Sequence, residues 1–164
     1  MDLHSQSTSR VSLHDMRQHQ SVTRKQDNDN IQFTGRIMIV DDEDDINLTL
    51  KVVLEDIGFK VDSFSQPVMA LKNFENGLYD LVILDVRMPV LNGFGLYVEI
   101  RKLDDKVKIC FLTAASDLYY EAFRKEAFPN IDENIIIHKP IENEFLIERI
   151  KSIITDSTIL AGSR

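Results

Sequence analysis

The stretch LVILD (residues 81–85) decides the fold, because four successive apolar residues end on an acid and lead into VRMPVLNG (86–93). Such a short, unbroken apolar run is typical of a β-strand that is buried on both faces, as strands are in a parallel sheet. The Pro, Asn and Gly that follow favour a loop. The stretch therefore predicts an inner strand of an α/β domain, with Asp85 at its carboxyl end.

Apolar runs of the same kind lie on both sides of this one along the chain. The predicted strands are IMIV (37–40), the weaker FKVDSF (59–64), LVIL (81–84), KICFL (108–112) and NIIIH (134–138). Strands that alternate with helices predict a doubly wound, flavodoxin-like α/β domain. We expect a five-stranded parallel sheet in the order 2-1-3-4-5, flanked by five helices.

The five helices are predicted from apolar residues at helical spacing. They are Ile46, Leu50, Val53, Leu54 and Ile57 in the first; Ala70, Leu71 and Phe74 in the second; Leu96, Ile100 and Leu103 in the third; Leu118, Ala122 and Phe123 in a less regular fourth; and Leu146, Ile150, Ile153 and Ile154 in the fifth. Asp44 or Asp45 is predicted to be the N-cap of the first helix, and Gly58 its stop. Ser65 and Pro67 indicate the start of the second.

The predicted domain occupies residues 35–155 of the 164-residue chain. Residues 1–34 are polar and their charges cancel, so we expect a disordered N-terminal tail with, at most, a short helix over 11–16. Three histidines in it, His4, His14 and His19, have no Cys or carboxylate at metal-ligand spacing and are interpreted as solvated. Residues 156–164 are expected to form a short C-terminal tail.

The composition argues against several classes of protein. A net charge of -8 disfavours direct binding to nucleic acid or to an anionic membrane. No apolar run approaches the roughly 18 residues of a membrane-spanning helix, and the first residues lack the apolar core of a secretory signal. Cys110 is the single cysteine, which excludes an intramolecular disulfide. We therefore expect a cytoplasmic protein.

Polar residues stand where four of the predicted strands end. Asp41 and Asp42 follow the first strand, Asp85 the third, Thr113 the fourth and Lys139 the fifth. The carboxyl ends of parallel strands share one edge of the sheet, and ligands bind there near the point where the strand order reverses. These side chains are therefore predicted to share one pocket.

The residue types in this pocket suit phosphoryl chemistry. Three clustered carboxylates repel one another unless a cation or protons intervene, and oxygen ligands of this kind suit Mg²⁺. Lys139 adds a positive charge. The Thr113 hydroxyl and backbone N–H groups around Ala114 can donate to phosphoryl oxygens. The set is what Asp85 needs to act as a nucleophile towards phosphorus.

Together, the motifs IMIVDDE, LVILDVRMPVLNG, FLTAAS and HKP resemble the receiver domain of two-component response regulators, of the stand-alone chemotaxis type, over residues 36 to 155. The resemblance implies that Asp85 is the phosphoacceptor. It implies that Asp42 and Asp85 ligate Mg²⁺ directly, with Asp41 acting through water and the Arg87 carbonyl as a further ligand.

The same resemblance assigns the remaining motif positions. Thr113 matches the switch hydroxyl, and Lys139 the phosphoryl-binding lysine, whose peptide bond to Pro140 is cis in the family. Gly93 is expected to supply a turn with positive φ. One position departs from the family pattern, since Ile136 stands where an aromatic side chain usually moves inward on activation.

Other readings of the acidic and basic residues are less specific. Asp44 and Asp45 are interpreted as acids at a helix N-terminus, favoured by its dipole. The Arg87 side chain is read as solvent-facing, with a place over the phosphoryl group as the alternative. His138 is interpreted as structural. Tyr119 and Tyr120 are a speculative substitute for the aromatic residue that Ile136 replaces.

The first functional hypothesis is a single-domain response regulator of a phosphorelay. It would accept a phosphoryl group from a histidine kinase or histidine phosphotransfer protein, and signal to an effector protein by direct interaction or by forming a homodimer. It would be no enzyme beyond self-phosphorylation and self-dephosphorylation. The alternative is an interaction module that works without phosphorylation, which Ile136 favours. A phosphatase is set aside, because Arg87 stands where a second Asp would be the general acid.

Overall fold

The computed structural model describes residues 33–114 and 118–156, and for 118–121 the backbone alone. The strands are β1 (Arg36–Val40), β2 (Lys60–Phe64), β3 (Leu81–Asp85), β4 (Lys108–Ala114) and β5 (Ile136–Lys139). The α-helices are α1 (Asp44–Asp56), α2 (Pro67–Asn73), α3 (Gly93–Leu103), α4 (Leu118–Ala127) and α5 (Asn143–Thr155), with a 3₁₀ helix at Glu133–Ile135. The predicted helix at 11–16 and the three tail histidines lie outside the described residues, as do the side chains of Tyr119 and Tyr120.

All five strands are parallel and form one sheet in the order β2-β1-β3-β4-β5. The predicted flavodoxin-like fold and strand order are confirmed. The first and third strands are neighbours, with Ile37 opposite Leu81 and Val40 opposite Leu84. This pairing places the ends of β1 and β3 side by side at one edge of the sheet.

The core lies on both faces of the three inner strands. Every residue of β3 is buried, including Asp85, and so are the last four of β1. Cys110 of β4 is fully buried. On α5 the predicted residues Leu146, Ile150, Ile153 and Ile154 are all buried. Burial of apolar side chains on both faces is what requires the unbroken apolar runs of the sequence.

Helix α1 ends as predicted but begins differently. Gly58 has a φ of 108°, and the N–H groups of Gly58 and Phe59 donate to the carbonyls of Glu55 and Leu54 at 3.0 and 3.1 Å, which is a Schellman motif. The N-cap, however, is Glu43, so the prediction of Asp44 or Asp45 at that position is wrong. The reason is that the Asp41 carboxylate accepts the Glu43 N–H at 3.0 Å and closes the turn before them.

Several predicted element boundaries and inward faces also differ. Strand β5 begins at residue 136, because Asp132 caps the preceding 3₁₀ helix by accepting the Asn134 N–H at 2.8 Å. Leu103 is 48% exposed at the last residue of α3. Phe123 is 37% exposed, although its ring lies 5.6 Å from that of Phe94. An apolar residue at helical spacing therefore need not face the core where a helix ends or lies at the rim.

Packing extends beyond the predicted N-terminal boundary. Phe33 is buried, with its ring 5.9 Å from that of Phe59 and under the Lys151 ammonium at 4.6 Å. The packed part of the described chain thus begins two residues before the predicted limit at 35. No helix among the described residues has the length and apolar content that a membrane span requires.

Candidate functional site

Three strands bring the charged residues of the site together. Asp41 follows β1 directly, Asp85 ends β3 and Lys139 ends β5. The Lys139 ammonium lies 2.6 Å from Asp41 Oδ2 and 2.9 Å from Asp85 Oδ1, with the exposed Glu43 carboxylate at 3.6 Å. Because β5 is separated from β3 by β4, the long lysine side chain is what reaches these acids. The lysine therefore bridges two buried carboxylates.

Asp41, Asp42 and Asp85 form the carboxylate cluster of this structure. One oxygen from each lies within 4.8 Å of the others. Asp41 and Asp85 are buried and Asp42 is exposed, so the cluster is open to solvent on one side. Three acids against one ammonium leave an excess of negative charge, which a divalent cation would offset. Hard oxygen donors with an open side suit Mg²⁺, which retains several water ligands.

Backbone N–H groups hold the two buried carboxylates in place. Asp41 Oδ1 accepts the N–H of Glu43, and Asp85 Oδ2 accepts the N–H of Arg87, each at 3.0 Å. In each acid, one carboxylate oxygen contacts the Lys139 ammonium, and the other accepts a hydrogen bond from the backbone N–H two residues further along the chain. A carboxylate oxygen has two lone pairs, so both acids retain acceptor capacity for a further partner.

Burial and the contacts among the charged groups together set the charge state of the site. It raises the pKa of Asp85 to about 6, and the negative charge of Asp41 adds to this while the hydrogen bond from Lys139 opposes it. For Lys139, burial alone would lower the pKa, but the contacts with Asp41 and Asp85 outweigh it and the pKa is raised. Near neutral pH the site therefore holds a protonated lysine beside an ionised Asp85 carboxylate.

The loop after Asp85 packs tightly against it. A side chain at Gly93 would collide with the carbonyl oxygen of Asp85, so close approach explains this glycine. The expectation of a positive φ at Gly93 is wrong, since the positive φ in this loop belongs to Val90, at 71°. Asn92 caps α3 by accepting the N–H of Gly95 at 2.8 Å. The loop thus joins β3 to α3 with little free space.

The remaining predicted site residues lie at the same edge. Thr113 is buried near the end of β4, opposite His138 of β5, while Ala114 is exposed. The Thr113 hydroxyl is 3.5 Å from the Ala114 carbonyl oxygen. Arg87 is exposed, in agreement with the prediction of a solvent-facing side chain. Its backbone N–H donates to Asp85 Oδ2. The predicted roles of Thr113, Ala114 and the Arg87 carbonyl stay predictions.

Two further features complete this edge of the sheet. The Lys139–Pro140 peptide bond is cis, as the resemblance implies. Asn47 of α1 is buried and its amide donates to the Asp41 carbonyl at 2.6 Å, a contact that sequence reasoning missed. The signal was available, since Asn47 is a polar residue at the inward spacing of Leu50 and Leu54.

The fold agrees with comparisons to known proteins. Residues 37–151 match the model of the response regulator receiver domain, and the chain belongs to this family. It is 38% identical over 118 residues to the probable transcriptional regulator ycf27 of Cyanidium caldarium, covering 72% of this chain and 45% of that one. It is 30% identical over 119 residues to the transcriptional regulatory protein PrrA of Mycobacterium leprae, covering 73% and 49%. The chain thus spans about half the length of these relatives.

Solved structures give the same result. The non-phosphorylated HemR receiver domain of Leptospira biflexa superimposes with a TM-score of 0.63 at 29% identity, covering 74% of this chain and 95% of that one. The response regulator TrrA of Thermotoga maritima, solved in complex with Mg²⁺ and BeF, gives 0.60 at 36% identity, covering 72% and 97%.

Proposed function

We propose that this receiver domain accepts a phosphoryl group on Asp85, in a Mg²⁺-dependent reaction, from a phosphohistidine of a kinase or phosphotransfer protein. The observation that carries the proposal is the Lys139 ammonium, which bridges Asp41 and Asp85 beside the open carboxylate cluster. An isolated strand-end aspartate would need none of these neighbours. An aspartate that must gain further negative charge needs all of them.

The transfer exchanges one bond to phosphorus for another. A carboxylate oxygen of Asp85 forms a bond to phosphorus as the phosphorus–nitrogen bond breaks, and the imidazole leaves with the electron pair and takes up a proton from solvent. Asp85 exchanges one negative charge for about two. Lys139, 2.9 Å away, is placed to balance part of that increase.

The carboxylate cluster would hold the metal, with the Arg87 carbonyl as a further ligand. Bound Mg²⁺ supplies positive charge that offsets the charge of the transferring group. The TrrA complex with Mg²⁺ and BeF, at 36% identity, supports this assignment. Orientation of the ligands falls to the residues of this chain, since the N–H groups of Glu43 and Arg87 fix the planes of Asp41 and Asp85.

The signal then passes to the surface of the domain. The Thr113 hydroxyl and the Ala114 N–H are candidates to donate to the phosphoryl oxygens, which biases an equilibrium between two conformations. An effector protein in the cytoplasm, or a second phosphorylated copy, would read the favoured conformation. The domain has no other enzymatic role in this proposal, and it contacts neither nucleic acid nor membrane directly.

Intact mass measured after incubation with acetyl phosphate tests the proposal. The wild type should gain the mass of one phosphoryl group only when Mg²⁺ is present, and Asp85→Asn should gain nothing. Asp105→Asn, which changes an exposed aspartate in the loop before β4, is the matched control and should label like the wild type. Persistent labelling of Asp85→Asn would exclude Asp85 as the acceptor.

A second candidate function, an interaction module that works without phosphorylation, has one observation in its favour. Ile136 is buried on β5 opposite Phe111, where the family pattern has an aromatic side chain that moves. Partner affinity with and without beryllofluoride separates the two functions. Equal affinity would favour the second, and a change of affinity the first.

A further inference from the structure

Asn47 is a buried polar residue on a helix face that otherwise buries leucine. It is 5% exposed and lies on α1 at the spacing of Leu50 and Leu54. A buried amide is costly unless its polar atoms are paired. The Asn47 Oδ1 is buried without a hydrogen-bond partner among the described residues, so the cost is only partly offset. Packing alone would be better served by an apolar residue.

The amide nitrogen of Asn47, in contrast, makes two hydrogen bonds. Asn47 Nδ2 donates to the carbonyl of Asp41 at 2.6 Å and to the carbonyl of Phe64 at 3.2 Å. Both neighbours are carbonyl oxygens, so only the NH₂ group can face them. The Phe64 carbonyl also accepts the Asp41 N–H at 3.2 Å. Asn47 therefore ties α1 to the residue after β1 and to the end of β2.

These contacts hold the backbone of the residue that begins the carboxylate cluster. The Asp41 side chain is fully buried and already has one oxygen on Lys139 and the other on the Glu43 N–H. Its carboxylate has little freedom to rotate, so its position depends on where the Asp41 backbone lies. A displaced Asp41 would also displace Asp42, the next residue.

We propose that Asn47 is a positioning residue for the divalent-cation site: its carboxamide holds the backbone of Asp41, and with it the carboxylate cluster. The inference rests on the proposed function, because it concerns the same cation site. Removing a group that orients a metal ligand without touching the metal typically weakens metal binding by about 10- to 100-fold. The unpaired Oδ1 is then the cost of placing the amide nitrogen between two carbonyls.

Calorimetric titration of the full chain with Mg²⁺ tests the role. Asn47→Leu and Asn47→Ala should bind Mg²⁺ at least about 10-fold more weakly than the wild type at a temperature where each is folded. Two variants are used so that one remains if the other fails to fold. The thermal unfolding midpoint without Mg²⁺ is measured for each, which separates a loss of stability from a loss of affinity.

Two control variants lie on the same helix. Leu50→Val shortens a buried neighbour on the same face and should lower the unfolding midpoint while leaving the Mg²⁺ affinity within about twofold. Thr49→Val removes an exposed hydroxyl that bonds within α1, to the Asp45 carbonyl at 2.8 Å, and should change neither.

The outcomes separate the inference from the proposed function. Wild-type affinity in both Asn47 variants would overturn the positioning role and leave the proposed function intact. An equal loss of affinity in Leu50→Val would overturn it as well, since any destabilisation of α1 would then suffice. Absence of Mg²⁺ binding by the wild type would contradict the proposed function, and the positioning role would fall with it.

Discussion

Val90 has a backbone conformation that β-branched residues avoid. Its φ is 71°, and it is the one non-glycine residue with positive φ in the described part of the chain. The Leu91 N–H donates to the Pro89 carbonyl at 2.8 Å across it, which closes a tight three-residue turn. Its side chain is 95% exposed, so packing contacts do not offset the energetic cost of this backbone conformation. The loop after Asp85 is therefore strained at its tip.

Replacing Val90 with glycine should stabilise the domain. A left-handed conformation costs a β-branched residue about 1–3 kcal/mol, of which the greater flexibility of unfolded glycine cancels about 0.5–1 kcal/mol. We expect the free energy of unfolding in urea to rise by about 1 kcal/mol. Val98→Gly, within α3, is the matched control and should lower it by about 0.5 kcal/mol. Equal destabilisation by both changes would contradict the strain at Val90.

Single residues of the site were predictable to different degrees. Asp41, Asp85 and Lys139 could be found because each ends an apolar strand, and parallel strands bring such ends together. Val90 could not, since its φ follows from closure of a turn rather than from its own preference. The need for a glycine at position 93 was predicted, but the expected positive φ was not the reason for it. A side chain is excluded there because the Asp85 carbonyl oxygen lies too close.

At the level of elements, a hydrogen-bonded group ties β1 and β2 to the segment before β3. Arg36 Nε donates to Asp62 Oδ2 at 2.7 Å, and the Tyr79 hydroxyl donates to the same oxygen at 3.0 Å. Burial raises the pKa of Tyr79 from 10.0 to about 12, and the hydrogen bond to Asp62 adds to the rise. The folded state thus favours the neutral phenol.

The stability that Tyr79 contributes should vanish at alkaline pH. Its pKa is higher folded than unfolded, so the contribution is fully present below pH 10 and is lost as pH rises towards 12. The difference in unfolding free energy between wild type and Tyr79→Phe should stay constant up to nearly pH 10 and shrink between about pH 10 and about pH 12. Tyr97→Phe, in α3 away from Asp62, controls for general alkaline effects. A difference independent of pH would refute the assignment.

Elements were predicted more accurately in their interiors than at their ends, where β5 starts later than expected and the N-cap of α1 differs. The interiors of β1, β3 and β4 depend on burial of whole apolar runs, which the sequence displays directly. The start of β5 depends on a single cap, Asp132, that turns Asn134 and Ile135 into a 3₁₀ helix. The end of α5 likewise rests on a distant residue, Lys108, whose ammonium bonds the carbonyls of Ile153, Ile154 and Asp156 at 2.9, 2.6 and 2.7 Å.

For the whole molecule, the proposed function implies that cation binding at the carboxylate cluster adds to the stability of the folded state. A ligand that binds only the folded state adds about 2.7 kcal/mol at about a hundred times its Kd. At about a hundred times its Kd, Mg²⁺ should raise the unfolding free energy of the wild type by about 2.7 kcal/mol. It should have little effect on the unfolding free energy of Asp41→Asn. Sodium chloride at equal ionic strength controls for screening of the net charge. An equal gain with the sodium salt would show that no specific site is involved.

The overall architecture was the most predictable level, because the number and alternation of strands and helices follow from a pattern repeated along the chain, and the resemblance to receiver domains implies the strand order. The contacts of Phe33 with Phe59 and Lys151 could not be predicted, because they join residues that are distant in sequence. In the sequence Phe33 stands between polar residues, so no apolar pattern indicates that its ring is buried. Long-range contacts made by single residues leave no periodic trace in a sequence.

Cys110 lies fully buried in β4, and burial raises the pKa of its thiol to about 12. The thiolate is the form that attacks maleimides and iodoacetamides, so this side chain should remain inert towards them while the domain is folded. A cysteine introduced on the surface would then be the one site that takes a fluorophore or spin label. Distances between chosen points of the molecule can therefore be followed spectroscopically without first removing the natural thiol.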